Sequence, residues 1–333
     1  MYYIYFDSGT SYSRIFLSDG KEILDYGKCS IGSKDISIAE ENRILVEELK
    51  NMYDAMLRSH GFSDADIAEI YASGMVTSPF GIREIPHISL PVNFTRLQSE
   101  IVSYYEPFCF KRELHLIPGV KNVVPDSVVV KQNFADVNST RGEEFEVFGL
   151  LAEIPEEMRR DPIVVLLPGS HTQILYIRGD TIYDVLSTIS GELFHAIGEN
   201  TILSDSIVRG AYQLDGEMLL TGFAHLQKFG FNRALYLVNT MKIFSDISRV
   251  QKTSYLEGVI TGGVILILND FLRGKWRDAS RLYVAGSAHI ARVYELLLRD
   301  IQPKYEINPL LLNERCSFSA RAFLRLMEGR KTA

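Results

Sequence analysis

Three glycine turns and one acidic stretch hold the residues of this 333-residue chain that could do chemistry. The first turn is Asp7-Ser8-Gly9-Thr10-Ser11, directly after the apolar run Tyr2 to Phe6. A tight glycine turn presents backbone N–H groups as an anion-binding concavity. Thr10 and Ser11 add hydroxyl donors. Asp7 can hold Mg2+ directly or through water, because that ion takes one or two carboxylates beside phosphate oxygens. The second turn is Pro168-Gly169-Ser170-His171-Thr172. The third is Val284-Ala285-Gly286-Ser287-Ala288, where a helix N-terminus suits an adenosine phosphate or a ribose. Acids gather in Asp136-Val137-Asn138-Ser139-Thr140-Arg141-Gly142-Glu143-Glu144. Phosphoryl transfer needs such a proton acceptor as well as phosphate donors. Glu143, at the start of an expected helix, is the first choice, with Glu144 in reserve and Asp136 third. Arg141 beside them can clasp a carboxylate with two parallel hydrogen bonds. Taken singly, each feature has a plainer reading. A hairpin acid caps its own turn, two glutamates favour a helix dipole, and an arginine pairs with a nearby glutamate.

The elements that must position these residues come in two similar sets. Tyr2 to Phe6 reads as a strand buried on both faces. The strand Arg14 to Leu17, the hairpin dipeptide Asp19-Gly20 and the strand Glu22 to Tyr26 complete a meander. A gapless shift of 160 positions lays Gly9 on Gly169, Thr10 on Ser170 and Asp19-Gly20 on Gly179-Asp180. The meander therefore repeats, over 163–167, 174–177 and 182–186. In the first half a helix is expected from Ser37, where Ser37 and Glu40 fit a capping box; Leu45, Leu49, Met52, Tyr53 and Met56 share one of its faces. A strand over 70–73, a long loop over 79–91, a helix over 97–105, a strand over 114–117 and a helix over 143–153 follow. The second half is helical over 192–206, 216–228, 232–244 and 255–272, before a strand at 282–284, a helix to Leu298, a strand at 305–307 and a closing helix over 319–327. The charged, proline-bounded segment 155–162 marks the expected boundary, giving lobes 1–158 and 159–333 with the last helix returning to the first.

Composition narrows the function. Hydrophobic residues at 46% and charged residues at 23% exclude a disordered or low-complexity chain. A net charge of -7 argues against a nucleic-acid or membrane-surface binder. Cys29, Cys109 and Cys316 form no CxxC pair, which speaks against a disulfide framework or zinc and for a reducing cytoplasm. The opening segment reads as a strand and not a signal peptide, and the apolar stretch Val259 to Leu268 is too short to cross a bilayer and reads as a buried helix. His195 and His289 are expected as surface or capping histidines, Trp276 as a packing anchor, and the cysteines as small buried hydrophobes.

A meander with an Asp-x-Gly-Thr turn, a second meander with a small-residue turn, and a strand running through Ala-Gly-Ser into a helix is the layout of the actin-like ATPase superfamily. The expected class is α/β: a two-lobed, ribonuclease H-like fold with duplicated βββαβα lobes around a central cleft. Within that superfamily the chain resembles the 2-dehydro-3-deoxygalactonokinase family. The matching pieces are Asp7-Ser8-Gly9-Thr10-Ser11 with Arg14, Ser73-Gly74-Met75-Val76 with Gly81, Glu84 and Pro86, Ile117-Pro118-Gly119, and Asp136-Val137. They continue with Arg141-Gly142-Glu143-Glu144, Pro168-Gly169-Ser170-His171, Ser190-Gly191-Glu192-Leu193-Phe194, Leu256-Glu257-Gly258 and Val284-Ala285-Gly286-Ser287. The resemblance implies an ATP- and Mg2+-dependent kinase acting on the C6 hydroxyl of 2-dehydro-3-deoxy-D-galactonate. It implies that Asp7, Gly9 and Thr10 face phosphate and Mg2+, that Gly169, Ser170 and His171 form the opposing phosphate turn, and that Gly286 and Ser287 lie by the nucleotide. Arg14, Glu84, Arg141 and Glu192 become candidates for the sugar-acid side. The chain departs from the family pattern at Ser8, Ile82, Gln173 and Ile174, where the family usually has Trp, Trp, Lys and Trp, and it lacks the usual His-Ser pair after Phe194. Those departures motivate a second reading, a non-catalytic sugar-acid or nucleotide sensor on the same fold. A third is a phosphohydrolase in which Glu143 orients water. The partners expected are a small sugar acid and ATP, with a homodimer through the helical second lobe as the oligomer to look for.

Overall fold

The computed structural model describes residues 1–30, 43–122, 131, 133–302, 304–311 and 317–330. The expected cap at Ser37 and the residue Cys316 lie outside them. In chain order the strands are β1 (Tyr2–Ser8), β2 (Ser13–Ser18), β3 (Ile23–Cys29), β4 (Ile67–Gly74), β5 (Ile88–Ser89), β6 (Val92–Asn93), β7 (Val102–Glu106), β8 (Arg112–Leu116), β9 (Val120–Lys121), β10 (Ser139–Thr140), β11 (Ile163–Pro168), β12 (His171–Arg178), β13 (Thr181–Ile189), β14 (Arg281–Gly286) and β15 (Glu306–Leu311). The α-helices are α1 (Arg43–His60), α2 (Phe94–Ser99), α3 (Glu143–Leu150), α4 (Gly191–Asn200), α5 (Gly216–Phe229), α6 (Phe231–Phe244), α7 (Arg249–Arg273), α8 (Ala288–Ile301) and α9 (Phe318–Arg330).

Two compact units result. The first holds Met1–Arg160, the hairpin end Ile177–Leu186 and the C-terminal helix α9; the second holds Asp161–Tyr176 and Ser187–Leu312. The sheet of the first unit runs β3-β2-β1-β4-β8-β7, with β1 antiparallel to β2 and parallel to β4. The second six-stranded sheet runs β6-β13-β12-β11-β14-β15, with β11 parallel to β14 and β14 parallel to β15. Both sheets thus place a meander third-second-first beside a parallel fourth strand; the first continues to β8 and edge strand β7, and the second continues to β15 and carries β6 beside β13. The continuous apolar run of β1 explains its central place: Ile4, Tyr5 and Phe6 are buried, and Tyr5 stacks on Phe16 and on Phe323 of α9. On the other side of that sheet Leu45, Leu49, Tyr53 and Met56 of α1 join Ile4, Phe6 and Ile70 in one core. Trp276 is the packing anchor expected, fully buried against Tyr176 and Phe271.

Some expectations fail locally. Residues 97–105 are not one helix. Asn93 accepts the Arg96 N–H at 2.9 Å and starts α2 early; the β-branched and aromatic run Val102 to Tyr105 then forms β7 against β8. The helix after Glu143 changes to a 3-10 turn at Leu151–Glu153. Residues 192–206 break at Asn200, where the Thr201 hydroxyl donates to the Ile197 carbonyl and accepts from the Leu203 N–H. The helix expected from 255 begins at Arg249, because Ser248 and Gln251 form a capping box. By length and composition α7 could cross a bilayer, yet every residue from Lys252 to Gly262 is buried within the fold. Cys29 and Cys109 are half-buried, not buried.

Candidate active site

Strand register assembles the first turn. Asp7 and Arg14 are directly opposed across β1 and β2, so their side chains share a face, and the Arg14 guanidinium donates to Asp7 Oδ2 at 2.5 Å. Ser319 of α9 donates to the same oxygen at 2.6 Å. Asp7 Oδ1 makes no hydrogen bond among the described residues. The turn itself is closed by Gly9 N–H donating to the Tyr12 carbonyl at 2.9 Å, which places Thr10, half-buried, and Ser11, exposed, at its tip.

The acidic stretch is pressed against this turn through Gly74, the last residue of β4. Gly74 pairs with Ser8 across the sheet and has φ +83°; a Cβ there would meet the Ser8 carbonyl oxygen at 2.3 Å. Gly142, which precedes α3, packs on the other side of Gly74. The two glutamates that follow are not equivalent. Both oxygens of Glu144 accept the Gly142 N–H, at 2.8 and 2.9 Å, and one also accepts the Thr140 hydroxyl at 2.8 Å. Glu144 therefore holds the turn. Glu143 accepts the Arg141 N–H, at 3.2 Å; burial, then Glu144 and Glu146, push its carboxyl up to about 8. Glu146, one helical turn on, is raised to about 7 by burial and by Asp7, against the pull of Arg14. Sequence reasoning passed over Glu146, although its spacing of three from Glu143 is a neighbour signal on a helix. Asp136 lies exposed on the one-turn 3-10 helix Phe134–Asp136.

Arg141 is turned into the protein. It donates to the Thr77 hydroxyl at 2.9 Å, to the Ile85 carbonyl at 2.8 Å and to His87 Nδ1 at 3.3 Å, stitching the 77–87 loop to the start of α3. Burial, with Arg141 and Lys121 nearby, lowers His87 to about 4, so its ring is neutral and accepts from Arg141. Of five guanidinium donors, two have no partner among the described residues. Glu84 is exposed on the same loop.

The second unit builds its turn around a hydroxyl network and one His–Glu contact. Gly169 is exposed and Ser170 and His171 are half-buried. The Ser170 carbonyl accepts the Glu192 N–H at 2.8 Å, and His171 Nε2 lies 3.4 Å from the Glu192 carboxylate. Thr172 is bonded to the Ser190 hydroxyl at 2.8 Å and to the Tyr294 hydroxyl at 2.9 Å. Gln173 is buried, and its Oε1 has no hydrogen-bond partner among the described residues. Gly286 is buried at the end of β14, and Ser287 caps α8 by accepting the Ile290 N–H at 3.3 Å. Beside that cap, Glu257 Oε2 accepts from the Tyr212 hydroxyl and lies 3.1 Å from His289 Nε2. This hydrogen bond raises the His289 imidazole above its usual value, so His289 is not the plain surface or capping residue expected. His195 is exposed, as expected. Of the sugar-acid candidates, Arg14, Glu84 and Arg141 lie in the first unit and Glu192 in the second.

The family profile described as 2-keto-3-deoxy-galactonokinase matches residues 7–310. The chain belongs to that family. It is accordingly a carbohydrate kinase with an α/β fold. Among solved structures it is similar to one described as "a putative 2-dehydro-3-deoxygalactonokinase protein" from Sinorhizobium meliloti, at 18% identity and a TM-score of 0.73 over 99% of each chain. A glucokinase of Balamuthia mandrillaris in complex with glucose aligns at 14% identity and a TM-score of 0.46 over 98% of this chain and 94% of that one. Comparison with curated proteins gives no match. The family match runs through both glycine turns, the acidic stretch and the Ala-Gly-Ser cap.

No group of three or more His, Cys, Asp or Glu among the described residues could hold a metal ion unaided. Mg2+ in a kinase does not need one, since it takes one or two carboxylates and completes its shell with phosphate oxygens and water. Asp7, with one oxygen held and the other without a partner among the described residues, fits that role.

Proposed function

We propose that this kinase moves the γ-phosphoryl group of ATP to the terminal C6 hydroxyl of 2-dehydro-3-deoxy-D-galactonate or a closely related 2-keto-3-deoxy sugar acid. The observation that carries the reading is Glu143: a half-buried carboxyl raised to about 8, hydrogen-bonded to a neighbouring N–H, at the start of a helix seated through Gly74 on the Asp7 turn. Its ionised form takes the proton of the attacking hydroxyl, while Glu144 keeps the helix start in place. Asp7 holds Mg2+, which when bound neutralises charge on the phosphate oxygens. Thr10 and Ser11 are the phosphate-binding groups of the first turn, and Gly169, Ser170 and His171 those of the second. Gly286 and Ser287 sit by the nucleotide, and Arg141, with two donors that have no partner among the described residues, meets the acid group of the sugar. Exclusion of water once both substrates are bound makes the sugar hydroxyl the acceptor.

The test is a coupled assay of ADP release over a panel of 2-keto-3-deoxy sugar acids with ATP and Mg2+. Turnover on at least one acid, lost in Glu143→Gln, is the expected result. Folded protein that turns over none of them overturns the proposal. Phosphate release without any sugar favours a phosphohydrolase instead.

A further inference from the structure

We propose that Ser319 is a positioning residue for Asp7, which makes the C-terminal helix a working part of the phosphate turn. The inference rests on the kinase reading above and adds a residue that no local pattern in the sequence points to, 312 positions away from Asp7.

Ser319 is 1% exposed, and its hydroxyl donates to Asp7 Oδ2 at 2.6 Å. Arg14 donates to the same oxygen. Two donors converging on one oxygen fix the plane of the carboxylate and leave Oδ1 for whatever the turn binds. Ser319 also lies 2.9 Å from the Ser317 hydroxyl. A hydroxyl has one proton to give. Since Asp7 takes that of Ser319, Ser317 must be the donor in the serine pair. The chain then runs in one direction, Ser317 to Ser319 to Asp7, and it ends on an ionised acceptor. Capping duty at the start of α9 falls to Ser317, which accepts the Ala320 N–H at 3.2 Å, so Ser319 is not needed for the helix itself.

The same helix also seats the proposed base. Its first residue, Phe318, packs so closely on α3 that a Cβ on Gly149 would lie 1.8 Å from the Phe318 carbonyl oxygen. Phe323 meanwhile stacks on Tyr5 of β1. One element therefore contacts both the strand that carries Asp7 and the helix that carries Glu143, and Ser319 is its single polar link to Asp7 among the described residues. A displacement of α9 would move both groups.

Calorimetric titration of the full-length protein with ADP, with and without Mg2+, separates this role from a purely structural one. Wild-type protein is expected to bind ADP more tightly when Mg2+ is present. In Ser319→Ala that Mg2+-dependent gain should fall about 10-fold, the size of one hydrogen bond to a charged group, while metal-free ADP binding stays unchanged. Ser319→Thr keeps the hydroxyl and should restore most of the gain; Ser319→Cys, of similar size with a weaker donor, should fall between. In turnover, kcat should drop with the KM for the sugar acid unchanged. A lower melting temperature with an intact Mg2+-dependent gain, in Ser319→Ala or Ser319→Cys, overturns the positioning role and leaves the kinase reading standing. Wild-type protein that binds ADP under neither condition overturns the kinase reading, and this inference with it.

Discussion

At the end of β1 in the first unit, Asp7 stands between Arg14 and Ser319, and three carboxyls, Glu143, Glu144 and Glu146, follow on α3. At the end of β11 in the second unit the shift of 160 positions puts Leu167 where Asp7 is and Ile174 where Arg14 is, both buried. The ion pair of one copy is an apolar pair of positions in the other. Around Thr172 the second turn carries a neutral hydroxyl network with Ser190 and Tyr294. Yet the backbone support is alike. Gly74 lets β4 lie against Ser8, and Gly191 lets the start of α4 lie against Gly169; a Cβ at either would meet a turn carbonyl at 2.3 Å. The meander order is thus common to both copies, and each turn has a close backbone approach of its own, while the ion pair at the end of the first strand belongs to one copy. Burial raises every carboxyl on α3, and neighbouring carboxyls raise Glu143 and Glu146 further.

The most damaging way to break that asymmetry is Glu143→Gln. It should lower kcat by about 10^2 to 10^4, the usual worth of a positioned general base. In wild-type protein kcat/KM should rise with pH until it levels near the raised value of about 8, because only the ionised carboxyl accepts the proton. The variant should lose that rise in a pH–rate profile. Thr172→Val, in the second turn, should leave the rise where it is. A profile that is flat in wild-type protein would remove Glu143 from the mechanism.

A smaller effect separates the two backbone supports. Gly74→Ala meets both a clash and an unfavourable positive φ, whereas Gly191→Ala meets a clash alone. Overpacking costs about 1–3 kcal/mol, and the left-handed conformation roughly 1–2 kcal/mol more. Urea unfolding should therefore rank Gly74→Ala as the more destabilised of the two. Equal losses would mean that β4 shifts to admit the methyl group.

How much of this the sequence discloses depends on how local each cause is. The meanders were legible because a continuous apolar run, a hairpin dipeptide and a glycine turn all act within a few residues. The Asp7–Arg14 pair follows from the same hairpin register. Residues 97–105 misled because an apolar stretch with mixed spacing suits helix and strand alike, and the cap at Asn93 lies just before the window. Ser319 could not be found locally, since its partner is fixed by the return of α9. The unequal roles of Glu143 and Glu144 were equally hidden: they depend on which of two adjacent side chains reaches the Gly142 N–H.

The mildest prediction concerns Glu146, which the charged copy holds at a cost. Its carboxyl is raised from an ordinary 4.5 to about 7. Between those two values the folded state binds more protons than the unfolded chain, so stability falls as pH rises through that window and the full penalty applies above it. Glu146→Gln removes the titration. Its melting temperature should match wild type near pH 5 and exceed it at pH 8 by about 2–4 °C, the response of a domain of this size to about 1 kcal/mol. Glu143, which Glu146 helps to raise, is relieved in the variant as well, and its contribution to the difference has the same sign. A gain that does not change with pH would show that Glu146 is already ionised in folded protein, paired with Arg14 in preference to being crowded by Asp7. The second turn would then differ from the first in charge alone and not in stored electrostatic strain.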